Sequence, residues 1–270
     1  MKKFFTLAAL AFAATALVSC DPDQNKTNKD GENDGPTVRK VLLALPSEIN
    51  EDNELVSGRT FRYNEDGSLA GVDEVWTDDD SGELMSYNLN VTREGNKLTL
   101  TTDEGEVEYE WTVNEQGYVI ENGDYSYEYD EDGHLIKVIE DWGEGPEVVS
   151  ICTWENGDMT SWTKEKELDD PNNPGQKIAR VKRQTYTDRL NYGGIFTVFT
   201  EKSSLKKWMF EAGFFGKPTK HLVKTDKWDD NTDGATFDYR YDPDGYVVSE
   251  EKMYGGELDD QTFYFWQSAE

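Results

Sequence analysis

Apolar and polar side chains alternate along most of residues 38–267, the period of a β-strand whose two faces meet different surroundings. Val107, Tyr109, Trp111 and Val113 share one face, against Glu106, Glu108 and Glu110 on the other. Tyr87, Leu89 and Val91 repeat the arrangement, and Lys97–Thr102 adds a short Leu/Thr strand. Further strands are predicted at 38–45, stopped by Pro46, and at 55–63, 69–76, 148–155, 159–167, 177–187, 194–200 and 261–267, with two-armed hairpins over 125–139 and 236–254. An apolar face opposite an acidic one fits antiparallel strands wetted on one side.

The rhythm breaks once. Leu205, Trp208, Met209 and Ala212 are spaced i, i+3, i+4, i+7, which predicts one short helix near 204–213. Ser203 or Ser204 can cap its start, and Gly213 or Gly216 its end. A lone helix among strands has to bury that stripe, and the end of a curled sheet is the surface available.

One turn recipe recurs. Tyr125–Glu140 reads YSYEYDEDGHLIKVIE, with looser copies in Phe61–Val72, Trp111–Ile120 and Phe237–Val248 and a degenerate one in Trp154–Trp162. Tyr125, Tyr127 and Tyr129 fall on one strand face, Asp130 can bond backbone ahead of it, and Gly133 can adopt a left-handed conformation. Each copy therefore predicts a β-hairpin closed by a type I turn and a glycine bulge. The repeat glycines Gly67, Gly117, Gly133 and Gly245 are unevenly spaced, unlike the blades of a propeller or the coils of a solenoid. The acidic turns are too short for an EF-hand loop, so no metal is expected there.

The first residues follow a different logic. Lys2-Lys3 precedes the apolar stretch Phe4–Val18, too short to span a bilayer, so residues 1–19 are expected to be a signal peptide. Leu17-Val18-Ser19-Cys20 resembles a bacterial lipobox, in which the cysteine becomes the first mature residue and carries lipid. Cys20 is accordingly the expected lipidation site and the membrane the expected partner. Asp21–Pro36 has no apolar side chain apart from prolines and reads as a disordered tether, leaving 37–270 as a single β domain.

Charge narrows the partners. The chain carries 27 basic and 56 acidic residues, a net −29, which disfavours nucleic acid. The charge is uneven: residues 41–175 hold 7 basic and 35 acidic residues, whereas 176–227 hold 12 basic and 4 acidic. Basic strands pairing beside acidic ones would explain this, and so would a cationic patch for an acidic glycan. With Cys20 lipidated, Cys152 has no disulfide partner, and its apolar run predicts a buried thiol.

Catalytic signatures are absent from the sequence. No nucleophile elbow or phosphate loop occurs. His134, expected to be exposed, and His221 lie in unlike contexts without ligand spacing, so neither a metal nor a cofactor is expected. Carboxylates are too many for one pair to stand out as a glycosidase dyad. The aromatics say more: of 8 Trp, 14 Tyr and 12 Phe, the residues Trp142, Trp162, Trp208, Trp228 and Tyr254 fall near turns or strand ends. They are candidates for stacking on a sugar or anchoring a protein partner, or for plugging barrel ends.

The lipobox at Cys20, the Tyr-Asp-x-Asp-Gly hairpins ending in Tyr239–Tyr246, and the segment Ala212–Leu222 (AGFFGKPTKHL) together resemble envelope lipoproteins of Gram-negative anaerobes that carry a porin-like β domain of unknown function. That resemblance implies an all-β fold, a single meandering antiparallel sheet curled into a barrel or half-barrel, and an outer-membrane lipoprotein. It brings no catalytic residue. The expected role is a non-catalytic binding or scaffold module for a glycan or envelope protein; the alternatives are a glycan hydrolase using a carboxylate pair, or a structural subunit of an envelope assembly.

Overall fold

A computed structural model describes residues 39–49, 55–78, 81–141, 143, 145–167, 177–197, 207–230 and 234–268. Cys20, the tether, Trp142, Ser203, Ser204 and Leu205 lie outside the described residues. Among the described residues the chain forms strands β1 (Lys40–Ile49), β2 (Leu55–Tyr63), β3 (Leu69–Thr77), β4 (Leu84–Glu94), β5 (Lys97–Thr102), β6 (Val107–Val113), β7 (Val119–Asn122), β8 (Tyr125–Tyr129) and β9 (Leu135–Glu140). It continues with β10 (Glu147–Glu155), β11 (Asp158–Glu167), β12 (Lys177–Leu190), helix α1 (Lys207–Glu211), β13 (His221–Trp228), β14 (Ala235–Tyr241), β15 (Val247–Tyr254), β16 (Glu257–Phe263) and β17 (Phe265–Ser268).

From β1 to β16 each strand pairs antiparallel with the next. β16 and β17 continue one another across Tyr264: the first lies on β15, the second on β1, so the meander curls back on its own start as a nearly closed barrel. Two details depart from the sequence reading. β1 runs through Pro46, which sits opposite Gly58 beside a register shift, the kind of place where a strand tolerates proline. Residues 194–197 are not a strand. The Asn191 amide bonds both N–H and C=O of Ile195 and turns the chain inward, so Ile195 and Phe196 are buried.

The inside of the barrel is filled. Phe61, Val72, Leu89, Leu100, Trp111 and Val138 point in from the strands and meet Trp208, Met209, Phe210, Phe214 and Phe215 from α1 and the segment after it. The outer face carries ion pairs in several sectors, among them Arg62–Asp73, Lys97–Glu110, Glu128–Lys137 and Arg240–Glu251. A lipid-facing wall would be apolar there.

A meander puts alternate connections at opposite ends. The repeat turns at Gly67, Gly117, Gly133 and Gly245 all fall at one end, as does the long connection between β12 and β13. At that end the Val119 N–H donates to the Phe214 carbonyl (2.8 Å), the Lys217 N–H to Gly133 (2.9 Å) and the Lys220 N–H to Gly157 (2.8 Å). The segment carrying α1 is thus stitched across three hairpin turns as a stopper. α1 as described covers the five residues 207–211; the predicted start at 204–206 lies outside the described residues, and Ala212 belongs to the turn after the helix.

Candidate functional site

Away from the stopper, the inner wall of β11–β15 changes character. Residues directly opposite in an antiparallel ladder share a face. The register sets Trp162 opposite both Cys152 and Lys182, Lys182 opposite Trp228, and Lys164 opposite Arg180. Gln184 lies opposite Asp226, Asp226 opposite Ala235, and Ala235 opposite Tyr254. All of these side chains therefore line one inward surface.

Its chemistry is cationic and aromatic. The two indoles sit 5.3 Å apart. Arg180 lies 4.4 Å from the Trp228 ring centre, with Lys164 at 4.9 Å and Lys182 at 5.1 Å. The same two lysines stand 5.3 and 5.0 Å from Trp162. Ion pairs fix the cations from the side: Lys182 to the buried Asp226 at 2.8 Å, and Arg180 to Asp230 through two bonds of 2.6 and 2.7 Å. Gln184 donates to Asp226 at 2.8 Å, and its own Oε1 is buried with no hydrogen-bond partner.

A second polar group lies deeper, between α1 and β14–β16. Lys207 donates to Tyr264 (3.0 Å) and Thr262 (3.2 Å) and reaches Glu250 at 3.5 Å. Thr197 donates to Glu250 at 2.7 Å, and the Phe196 N–H to Glu211 at 3.0 Å. Glu211 keeps some accessible surface, yet protein surrounds its carboxyl closely enough that desolvation pushes it up to about 7. Lys207 and the Phe196 N–H pull the other way, and Glu250 adds a smaller upward push.

The predicted residues separate accordingly. Trp162, Trp228 and Tyr254 share the inner wall; Trp162 is buried, Trp228 half-buried and Tyr254 43% exposed. Trp208 is buried in the stopper, against Tyr109 and Phe214. Arg180 and Lys182 were visible in the sequence only as part of the basic segment 176–227, and Lys164 lies in the acidic segment before it. His134 is buried, not exposed: its ring stacks on Trp154 at 4.3 Å, which the hairpin's return strand makes possible. Asp130, Asp132 and His134 come within 4.8 Å of one another through possible ligand atoms, but Asp130 is already engaged by the His134 N–H and Nδ1. In the matching turn, Asp242 and Asp244 both hold Lys40 at 2.6 Å. Cys152 is buried, which pushes its thiol up to about 12. It lines a cavity of about 30 Å³ with Met159, Trp162, Phe196 and Phe215, room for a water or two and no more.

Residues 61–249 match the family described as a domain of unknown function (DUF4595) with porin-like fold. The chain belongs to that family. The match takes in the stopper and the cationic part of the wall, and Tyr254 falls outside it. A porin-like protein from Bacteroides uniformis superposes with a TM-score of 0.60 at 18% identity, over 87% of this chain and 98% of that one. A second, from Bacteroides vulgatus, gives 0.51 at 11% identity, over 84% and 99%. No curated protein sequence matches. At these identities the likeness is one of fold.

Proposed function

We propose that the chain is a non-catalytic binding module of the cell envelope, held at the outer membrane by lipid on Cys20, with its ligand site on the inner wall of β11–β15. The observation that carries this reading is the division of the barrel interior. Among the described residues one end is stoppered and packed with apolar side chains, while the wall toward the other end presents indoles, a tyrosine and ion-paired cations. The ion-paired outer face supports a barrel standing in water, for which lipid on Cys20 supplies the attachment.

Two measurements test it. Cys20→Ser should move the protein from the membrane fraction to the soluble one; a variant that still sediments with membrane means that lipid on Cys20 is not the anchor. Incubated with polysaccharides, the wild-type protein should be retained without releasing reducing ends. Release of reducing ends would favour the hydrolase reading, for which Glu211, raised toward neutrality beside Glu250, is the acid to replace first.

A further inference from the structure

A second surface lies on other strands. Among the described residues, every large apolar side chain left exposed, Ile151 excepted, sits at or one residue from a strand end on the side away from the stopper. The end of the β3–β4 hairpin holds three of them. Val72 pairs with Leu89 on the packed inner face, and four positions further along that face Trp76 pairs with Met85 at the lip. Trp76 is 38% exposed and Met85 42%. Leu84, next in the chain to Met85, faces the outside at 48%, so the lip is apolar on both sides. Trp76 differs from every other described tryptophan in having neither a hydrogen bond nor a ring contact among the described residues. An indole to which the fold gives no bond and no stacking partner is the kind of side chain that anchors an interface.

Charge says what the partner must carry. Glu83 adjoins Leu84, and Glu104 and Glu106 lie in the turn before the exposed Val107 of β6. All three carboxylates are exposed, and none has an ion pair among the described residues. The described parts of the turns at this end contain further acids, Asp103 and Asp124 among them, and no Lys, Arg or His. We infer that the lip of β3–β6 is a docking surface for a basic polypeptide segment, which lays an apolar side chain against Trp76 and Met85 and its Lys or Arg beside Glu83, Glu104 and Glu106. An apolar centre with a polar periphery is the anatomy of a protein interface, and opposite charge selects and steers the partner. A second copy of the chain would set the same acids face to face. A bilayer would have to take up the acidic turns before the apolar lip behind them, whereas elements that lie in a membrane surface carry Lys and Arg there. The lip is separate from the wall of β11–β15, and neither reading depends on the other.

Calorimetry on the purified full chain tests this with three synthetic peptides of equal length: one of Lys and Leu, the same with each Lys replaced by Glu, and the same with each Leu replaced by Ser. The Lys/Leu peptide should bind, and each of the others about tenfold or more weakly. That comparison is made on the wild-type protein and does not depend on any variant's folding. Trp76→Ala should keep the wild-type melting temperature and weaken the Lys/Leu peptide about tenfold. Ile151→Ala, exposed in the middle of β10, should leave its binding unchanged. Glu83→Gln combined with Glu106→Gln should weaken it and flatten its dependence on salt. Equal binding of the Lys/Leu peptide by Trp76→Ala and the wild type would mean charge attraction spread over the whole surface and would overturn the inference. Equal binding of the Lys/Leu and Glu/Leu peptides would do the same, as would no binding of the Lys/Leu peptide. Binding to phosphatidylcholine vesicles that Trp76→Ala abolishes would assign the lip to a lipid surface instead, and dimers that Trp76→Ala abolishes would assign it to a second copy.

Discussion

At the scale of single residues, the turn glycine Gly133 and the desolvated acid Glu211 carry clear constraints. Gly133 has φ +91°, and a Cβ there would stand 2.8 Å from the Tyr118 ring. Its carbonyl also receives the Lys217 N–H, so the turn is part of the stopper's seating. Gly133→Val should cost on the order of 1–3 kcal/mol, read as a lower melting temperature; an unchanged one would mean that the turn relaxes freely. Glu211 has its carboxyl raised from 4.5 to about 7, so the folded chain holds this proton more tightly than the unfolded chain does. The stability linked to it is complete below about pH 4.5 and is lost as pH rises through 7. Relative to its own stability near pH 4, the wild type should therefore lose on the order of 2 kcal/mol by pH 8 that Glu211→Gln keeps. Parallel stability curves for the two proteins across that range would show that Glu211 does not titrate there.

At the scale of elements, α1 is too short to persist alone. Burial of Trp208, Met209 and Phe210 holds it. Trp208→Ala should cost about 3–5 kcal/mol in a denaturant titration; a variant of normal stability would mean that the stopper is not part of the core. The strands, the hairpin turns and the existence of this helix were legible in the sequence, because each rests on a local period or on turn chemistry. The stopper's seating was half legible: the stripe of Trp208 and Met209 required burial somewhere, but nothing local said that Phe214 would meet the turn before β7. The wall was not legible. Its members come from separate strands, and bulges at Thr153/Trp154 and between Thr185 and Tyr186 reset which side chains face inward. A basic bias over 176–227 was visible, but its assembly around Trp162 and Trp228 depends on register, which alternation alone does not fix across a bulge.

At the scale of the whole molecule, sign is sorted by surface. Acidic residues dominate the chain, whereas the inner wall of β11–β13 concentrates cations. Such a molecule repels other polyanions at long range, while the cations of its inner wall are held in ion pairs and against indoles. Rising salt should relax the first effect more than the second, since exposed charges are screened within a Debye length and partly buried ones much less.

The way the barrel shuts has a consequence for how it is made. β1 has β2 on one side, but its other neighbour is β17, so Lys40 waits for Ser268 and Val41 for Gln267. During synthesis the first strand therefore spends the whole emergence of the chain with one edge unsatisfied, and the pairing that relieves it spans nearly the entire sequence. Contacts of such separation form late and slowly, and an open edge is a template for another chain. Protein lacking residues 265–268 should accordingly refold into species that grow with concentration, seen as rising light scattering, where the full chain refolds without that growth. If the shortened protein refolds as cleanly as the full one, the stopper and the remaining strands are enough to guard that edge.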